Sequence, residues 1–484
     1  MTAGTDGKKR PNILMIPVCF MGHTPAFVHL IHQVSLKYAG EATVTVLSSV
    51  EVTSEVSALH KKGVFGSLDM RFVTMFTPIT DCVTDDPKLP LYLEAVCNKW
   101  RREFEPYRQN YLEQRRMNIE TELGSPTCII SDCFLHFAKD FADDLGVIWI
   151  PLYTLPMWLG LSFIYAPKLY IQPRHSPQPI DLPGLEMFRH SDPPYEVWCE
   201  KDFLWEHRKY VEQSGGIMVN TPEYIETEVG AITEFRAHLQ RTSTSGKVPV
   251  IYTMGPRNEI PGFGVEYRSK LSSFSVQDQE CLRWLDKQSA KSVLYIAFGT
   301  LANLKTDEVS VVARGLEASG AKYLWNLKIP AGSSLEACLP AGFLERTSDH
   351  GFLLTGWAPQ VKILQHPSLG GFMTHCGWNS TTESLCSGIP LIAAPVFADQ
   401  CLNARVVTEK LNVGVALTPG YKHDGYEISS TEVEKAIKTL MFDDIGREIR
   451  KNAEEEQKRL LATMAPGGTT YEMTEAFLKL ITTV

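Results

Sequence analysis

The stretch that most constrains this chain runs from Trp357 to Gln400, WAPQVKILQHPSLGGFMTHCGWNSTTESLCSGIPLIAAPVFADQ. Its centre is an apolar strand, Gly371-Phe372-Met373-Thr374, followed by a turn, His375-Cys376-Gly377-Trp378. A helix is expected to open at Asn379-Ser380-Thr381, all good N-cap residue types. It should close near Gly388-Ile389-Pro390, where Gly followed by Pro is a stop signal. A helix N-terminus presents unpaired backbone N–H groups and about half a positive charge. With a histidine at the strand's end, the stretch is suited to hold a phosphate or pyrophosphate.

The rest of the chain alternates apolar runs with amphipathic ones, the pattern of parallel sheets covered by helices. Strands are expected at Asn12–Pro17, Thr43–Leu47, Arg71–Phe76, Cys128–Ser131, Val147–Tyr153, Gly216–Thr221 and Tyr252–Gly255. Residues 256–277 are rich in Gly, Pro and Ser and carry no helical period, so a linker is placed there. It separates a first domain, 1–255, from a second, 278–465, with a final amphipathic segment at 466–484. In the second domain, Val293–Phe298 and Tyr323–Leu327 read as strands and 306–319 as a helix stopped by Gly320. The segment from Leu155 to Asp202 is rich in Pro, Trp and Tyr and has no clean period; it reads as an aromatic acceptor pocket or as a plain surface loop.

Several functions are excluded or disfavoured. No G-x-G-x-x-G follows the first strand and no Walker spacing occurs, which weighs against a dinucleotide dehydrogenase and a P-loop enzyme. A net charge of −9 argues against general nucleic-acid binding. Eleven cysteines without paired spacing suit reduced thiols. The apolar run after Lys8-Lys9-Arg10 is short and broken by Pro11 and Pro17, so it reads as a buried first strand and not as a signal peptide. No run reaches the roughly 18 apolar residues of a membrane span. A cytoplasmic monomer is expected, and His366, His375, Cys376 and Cys386 match no zinc pattern, so no metal is.

The stretch Trp357–Gln400 resembles, over all 44 positions, the plant secondary-product glycosyltransferase box. On that basis the chain is identified as a member of the plant family 1 UDP-glycosyltransferases, which implies the α/β GT-B fold: two Rossmann-like domains facing across a cleft, with the C-terminal helix crossing back to the first. Residue by residue, the resemblance implies that Trp357 stacks on uracil, with Ala358 and Gln360 at its edge, and that Glu383 takes the ribose hydroxyls. His375, Gly377, Asn379 and Ser380 would hold the pyrophosphate together with Thr300. Trp378, Asp399 and Gln400 would meet the sugar, and Gln400 in last place points to glucose. UDP-glucose would be the co-substrate, with no other cofactor.

Pro17…Gly22-His23 resembles the family's segment carrying the catalytic base, and Ser131-Asp132-Cys133-Phe134 the one carrying its partner carboxylate. Taken alone, His23 reads equally as a core or capping histidine, and Asp132 as the N-cap of the next helix. Both follow strands, and ligands in open α/β sheets sit beyond the strands' carboxyl ends. The implied reaction is inverting transfer of glucose to a hydroxyl of a small aromatic acceptor, flavonoid or other phenolic, met by Gly22, Phe134, Thr154, Trp158 and Phe397. The open alternatives are glucosylation of an aromatic carbon, a terpenoid or hormone acceptor, and a non-catalytic UDP-sugar binder.

Overall fold

The computed structural model of the chain describes residues 10–19, 22–77, 93–173, 176–243, 246–256, 276–299, 304–330, 332–356, 358–417 and 428–483. Thr300, Trp357 and nearly all of the expected linker lie outside them.

Thirteen strands among the described residues form two sheets. The first contains β1 (Asn12–Ile16), β2 (Thr43–Ser49), β3 (Asp69–Phe76), β4 (Cys128–Asp132), β5 (Ile148–Tyr153), β6 (Ile217–Val219) and β7 (Ile251–Thr253). Its order is β3-β2-β1-β4-β5-β6-β7, and every pairing is parallel. The second contains β8 (Val293–Ala297), β9 (Lys322–Asn326), β10 (Gly351–Leu354), β11 (Leu369–Thr374), β12 (Leu391–Ala393) and β13 (Gly414–Ala416). It is also parallel throughout, in the order β10-β9-β8-β11-β12-β13. These are two doubly wound, Rossmann-like sheets, as the resemblance implies. In each the connection reverses direction beside the first strand, between β1 and β4 and between β8 and β11. Crevices for ligands open at such switch points.

The central strands are apolar on both faces because helices cover both: β1, β4 and β8 are buried at every position. The helix Thr469–Thr483 buries Phe477, Leu478 and Ile481 in the core of the first sheet, with Phe477 edge-on to Tyr252 at 5.2 Å.

The Leu155–Asp202 segment is more ordered than its composition suggests. Met157–Ile164 is a helix whose eight residues are all buried. A helix apolar on every side has no amphipathic period to show. The helices Val50–Lys61, Lys201–Glu212, Glu223–Val229 and Ala231–Thr242 were also not expected.

Candidate active site

At the rim of the first sheet, β1 ends and a turn leads to His23, which directly precedes the helix Thr24–Tyr38. Its side chain does not cap that helix. Instead Nδ1 lies 2.5 Å from Oδ2 of Asp132, the last residue of β4. Asp132 is wholly buried, and its Oδ1 accepts the Phe134 N–H at 3.2 Å. The following helix starts only at Phe137, preceded by His136, so Asp132 is not its N-cap. A carboxylate only accepts hydrogen bonds, so Nδ1 carries the imidazole proton and Nε2 keeps its lone pair. The Phe134 ring, 6.4 Å from the His23 ring centre, forms one wall beside it.

At the facing switch point, β11 delivers His375 and the strand-to-helix turn. The helix runs Trp378–Ser387 with Gly377 at its N-cap, so Asn379, Ser380 and Thr381 sit inside the first turn and not at the cap. The sequence placed the cap one or two residues late because Asn379 has a longer-range partner: its Nδ2 donates to the carbonyl of Gly22 at 2.7 Å. That bond joins the helix N-terminus to the residue before His23. Gly388, in the left-handed conformation at φ 68°, ends the helix where expected.

The His375 ring fits between two glycines. A Cβ on Gly299, just past β8, would come within 2.6 Å of the ring, and one on Gly377 within 2.5 Å. Burial pushes the His375 pKa down to about 4, so the ring is neutral near pH 7 and donates one hydrogen bond. Farther along, Gln360 Nε2 donates to Glu383 Oε2 at 2.7 Å and Ser380 Oγ at 3.0 Å, and its Oε1 accepts from Tyr295 at 3.3 Å. Gln360 therefore orients Glu383, and Ala358 lies buried beside it. Asp399 and Gln400 open the helix Gln400–Arg405. Gln400 Oε1 accepts the N–H groups of Val396 and Phe397 at 2.8 and 2.9 Å, leaving its NH₂ for a ligand. Burial raises the Asp399 pKa to about 6 against an opposing bond from Asn403 Nδ2 at 2.6 Å.

Three expected ligand contacts are buried among partners within the protein. Trp378 is 3% exposed; its indole N–H donates to the Asn220 carbonyl at 2.6 Å. Trp158 is wholly buried, edge-on to Trp378 at 5.3 Å, with its N–H on Asn403 Oδ1 at 3.0 Å. These two rings join the two halves of the molecule. Phe397 belongs to the apolar core of the second sheet. Thr154, just past β5, is 2% exposed, and among the described residues its hydroxyl has no partner. His23, Asp132, Phe134 and Gly22 are brought together on one rim, with His375, Gly377, Asn379, Ser380, Glu383, Asp399 and Gln400 on the other.

Sequence reasoning missed Asn403, Asn220 and a buried histidine pair. His136 Nε2 lies 2.9 Å from His207 Nδ1, and the Tyr153 hydroxyl 2.7 Å from His207 Nε2. Burial pushes both imidazoles well down, His207 to about 3, so this chain is neutral and backs Phe134, whose ring is 5.7 Å away. Asn403 was detectable in principle, lying one helical turn after Asp399. His207 was not, because nothing local marks its partner 71 positions earlier.

Among the described residues no cluster of His, Cys, Asp and Glu is arranged to hold a metal ion, and no helix is long and apolar enough to cross a membrane.

A family model described as UDP-glucoronosyl and UDP-glucosyl transferase matches residues 248–452. UDP-glycosyltransferase 72B1 of Arabidopsis thaliana is 30% identical over 96% of this chain and 95% of its own length. Myricetin 3-O-rhamnosyltransferase UGT77B2 of Crocosmia x crocosmiiflora is 31% identical over 75% of this chain and 76% of its own. Among solved structures, a Polygonum tinctorium UDP-glucosyltransferase capable of glucosylating indoxyl, in complex with 3,4-dichloroaniline, superposes with a TM-score of 0.78. It is 26% identical over 98% of this chain and 99% of its own. UGT2 of Phytolacca americana, complexed with UDP-2fluoro-glucose and pterostilbene, gives 0.76 at 25% identity over 98% and 100%. With its paired Rossmann-like sheets and near-full-length relatives, the chain belongs to the plant family 1 UDP-glycosyltransferases of GT-B fold, enzymes that transfer a sugar from a UDP-sugar to an acceptor.

Proposed function

We propose that the protein transfers glucose from UDP-α-D-glucose to a hydroxyl of a small aromatic acceptor, a flavonoid or another phenolic, releasing a β-glucoside and UDP. The observation that carries this reading is the 2.5 Å contact between His23 Nδ1 and the buried Asp132 carboxyl at the first sheet's switch point. His23 Nε2 takes the acceptor's proton while Asp132 holds the tautomer and stabilises the imidazolium that forms, a general-base contribution worth roughly 10²–10⁴ in rate. The acceptor oxygen attacks the anomeric carbon from the face opposite the diphosphate, which inverts it.

On the donor side, Ala358 and Gln360, with Trp357, would border the uracil, and Glu383 would accept from the ribose hydroxyls. Being neutral, His375 would donate a hydrogen bond to the diphosphate and not cancel its charge. The positive potential there would come from the N-terminus of the helix Trp378–Ser387, with hydrogen bonds added by the Asn379 and Ser380 side chains and, by resemblance, by Thr300. Asp399 and the Gln400 NH₂ would bond the sugar hydroxyls. Glucose is favoured by Gln400, and an aromatic acceptor by the Phe134 wall at His23, supported by relatives that act on indoxyl or bind pterostilbene.

The test is incubation with UDP-glucose, UDP-galactose or UDP-rhamnose and a panel of phenolic acceptors, with products read by mass and by resistance to acid hydrolysis. An acid-labile hexoside formed from UDP-glucose is expected. Preference for UDP-rhamnose, the donor class of the Crocosmia rhamnosyltransferase, or an acid-stable product would overturn the donor or the linkage. His23→Ala should lose transfer by at least about 10²-fold while still binding UDP, and normal turnover in that variant refutes the assignment of the base.

A further inference from the structure

We propose that Asn403 is a positioning residue for the transfer: one buried amide ties the sugar-side carboxylate, the turn at the diphosphate and the acceptor-side helix into a single unit. The proposal rests on the reading of Asp399 and His375 as donor contacts.

Asn403 is wholly buried. Its Nδ2 donates to Asp399 Oδ2 at 2.6 Å and to the Cys376 carbonyl at 3.0 Å, and its Oδ1 accepts the Trp158 indole N–H at 3.0 Å. Both amide N–H groups are used, and each of the three partners has a separate job. Asp399 is 4% exposed, and burial alone favours its protonated form, a poorer acceptor, which the Asn403 bond opposes. Cys376 holds φ 61°, a left-handed conformation that is strained for a non-glycine residue, so a bond to its carbonyl helps to keep the turn in place. That turn carries His375 and opens the helix Trp378–Ser387. Trp158 belongs to the helix Met157–Ile164 of the other half of the molecule. Among standard side chains of this size, only an amide supplies two donors and an acceptor in this arrangement. Aspartate would set two carboxylates against each other, and leucine would strand three buried polar groups.

The titratable groups acting on Asp399 are His23 from the first sheet's rim, Cys376 of the turn and Cys401 on its own helix.

The experiment compares Asn403→Ala, Asn403→Asp and Trp158→Phe with the unmodified enzyme. Isothermal titration is run with UDP and separately with UDP-glucose, followed by steady-state kinetics over pH. UDP affinity should fall by no more than about threefold, because the Cys376 turn loses only one of its supports whereas Asp399 loses its hydrogen-bond donor. Affinity for the sugar moiety and kcat/KM for UDP-glucose should fall by roughly tenfold to a hundredfold in Asn403→Ala, and less in Trp158→Phe. The acid limb of kcat/KM should move to higher pH in all three, furthest in Asn403→Asp. Equal losses for UDP and UDP-glucose, or an unmoved acid limb with unchanged kcat/KM, would overturn the proposal. Should Asn403→Ala not fold, the near-isosteric Asn403→Asp and Trp158→Phe, which removes the indole N–H together with part of the buried ring, decide the question by the shift of the acid limb. Absence of transfer by the unmodified enzyme from any UDP-sugar would instead sink the functional reading, and the paired titrations would still report on Asn403.

Discussion

Asp132 and Asp399 show how the same residue type is given different work by its surroundings. Asp132 is buried but has two partners, the Phe134 N–H and His23 Nδ1. Replacing it with Asn would present an NH₂ to Nδ1 and favour the wrong tautomer, while keeping the shape. Asp132→Asn should therefore lower kcat by roughly 10²–10⁴ with little change in UDP affinity; a loss under about tenfold would reduce Asp132 to a structural role. Asp399 is held at about 6 by burial, so its carboxyl gains a proton as pH falls through that value. The KM for UDP-glucose should then rise below about pH 6, and Asp399→Asn should abolish that rise. His23 and Asp132 were both legible as singletons after strands, but either could have been a cap. Only their 2.5 Å contact, 109 positions apart, decides the matter.

Elements matter here mainly for what they allow to approach. The turn after β11 admits the His375 ring only because Gly299 and Gly377 lack side chains on either side of it. In Gly377→Ala the new Cβ would sit 2.5 Å from His375 Nε2, so the ring or the turn must move. The affinity for UDP should drop by roughly tenfold or more, about the worth of one hydrogen bond to a charged group, and unchanged titration with UDP would rule this account out. The strand and the helix stop of the Trp357–Gln400 stretch were readable because they are local: an apolar run ending in Gly-Pro punctuation. The helix start was misread because propensity favours Asn, Ser or Thr at the cap, whereas Asn379 is drawn to Gly22 and Trp378 to Asn220 across the cleft. The helix Met157–Ile164 left no periodic trace because it is buried on every side.

At the scale of the molecule, two sheets of like order meet through a few buried polar bridges. Trp378 to Asn220 and Trp158 to Asn403 are joined by a third, in which Arg405 grips Asp192 through Nε and, at 2.9 Å, through Nη2. Asp192 is wholly buried, and burial pushes its carboxyl pKa up despite the guanidinium. Removing the cation leaves a buried carboxylate unpaired, a loss of about 3–5 kcal/mol. Arg405→Met should lower the denaturation midpoint measurably and reduce kcat more than UDP binding. Asp192→Asn in that background should recover part of the stability; if it recovers none, the pair is not what joins the halves.

By itself the sequence determined the class of the fold, from strands and helices in alternation, and implied a UDP-sugar donor by resemblance; the strand and turn of that stretch lie within 44 consecutive positions. Local spacing suffices there. What only the tertiary structure decided is which distant residues meet and how the two halves are joined. His23 meets Asp132, Asn379 reaches Gly22, and two tryptophans expected at ligands turn out to be bolts between the halves. Those contacts join residues that periodicity and propensity treat as independent, and a buried polar group reveals its purpose only when its partner is in place.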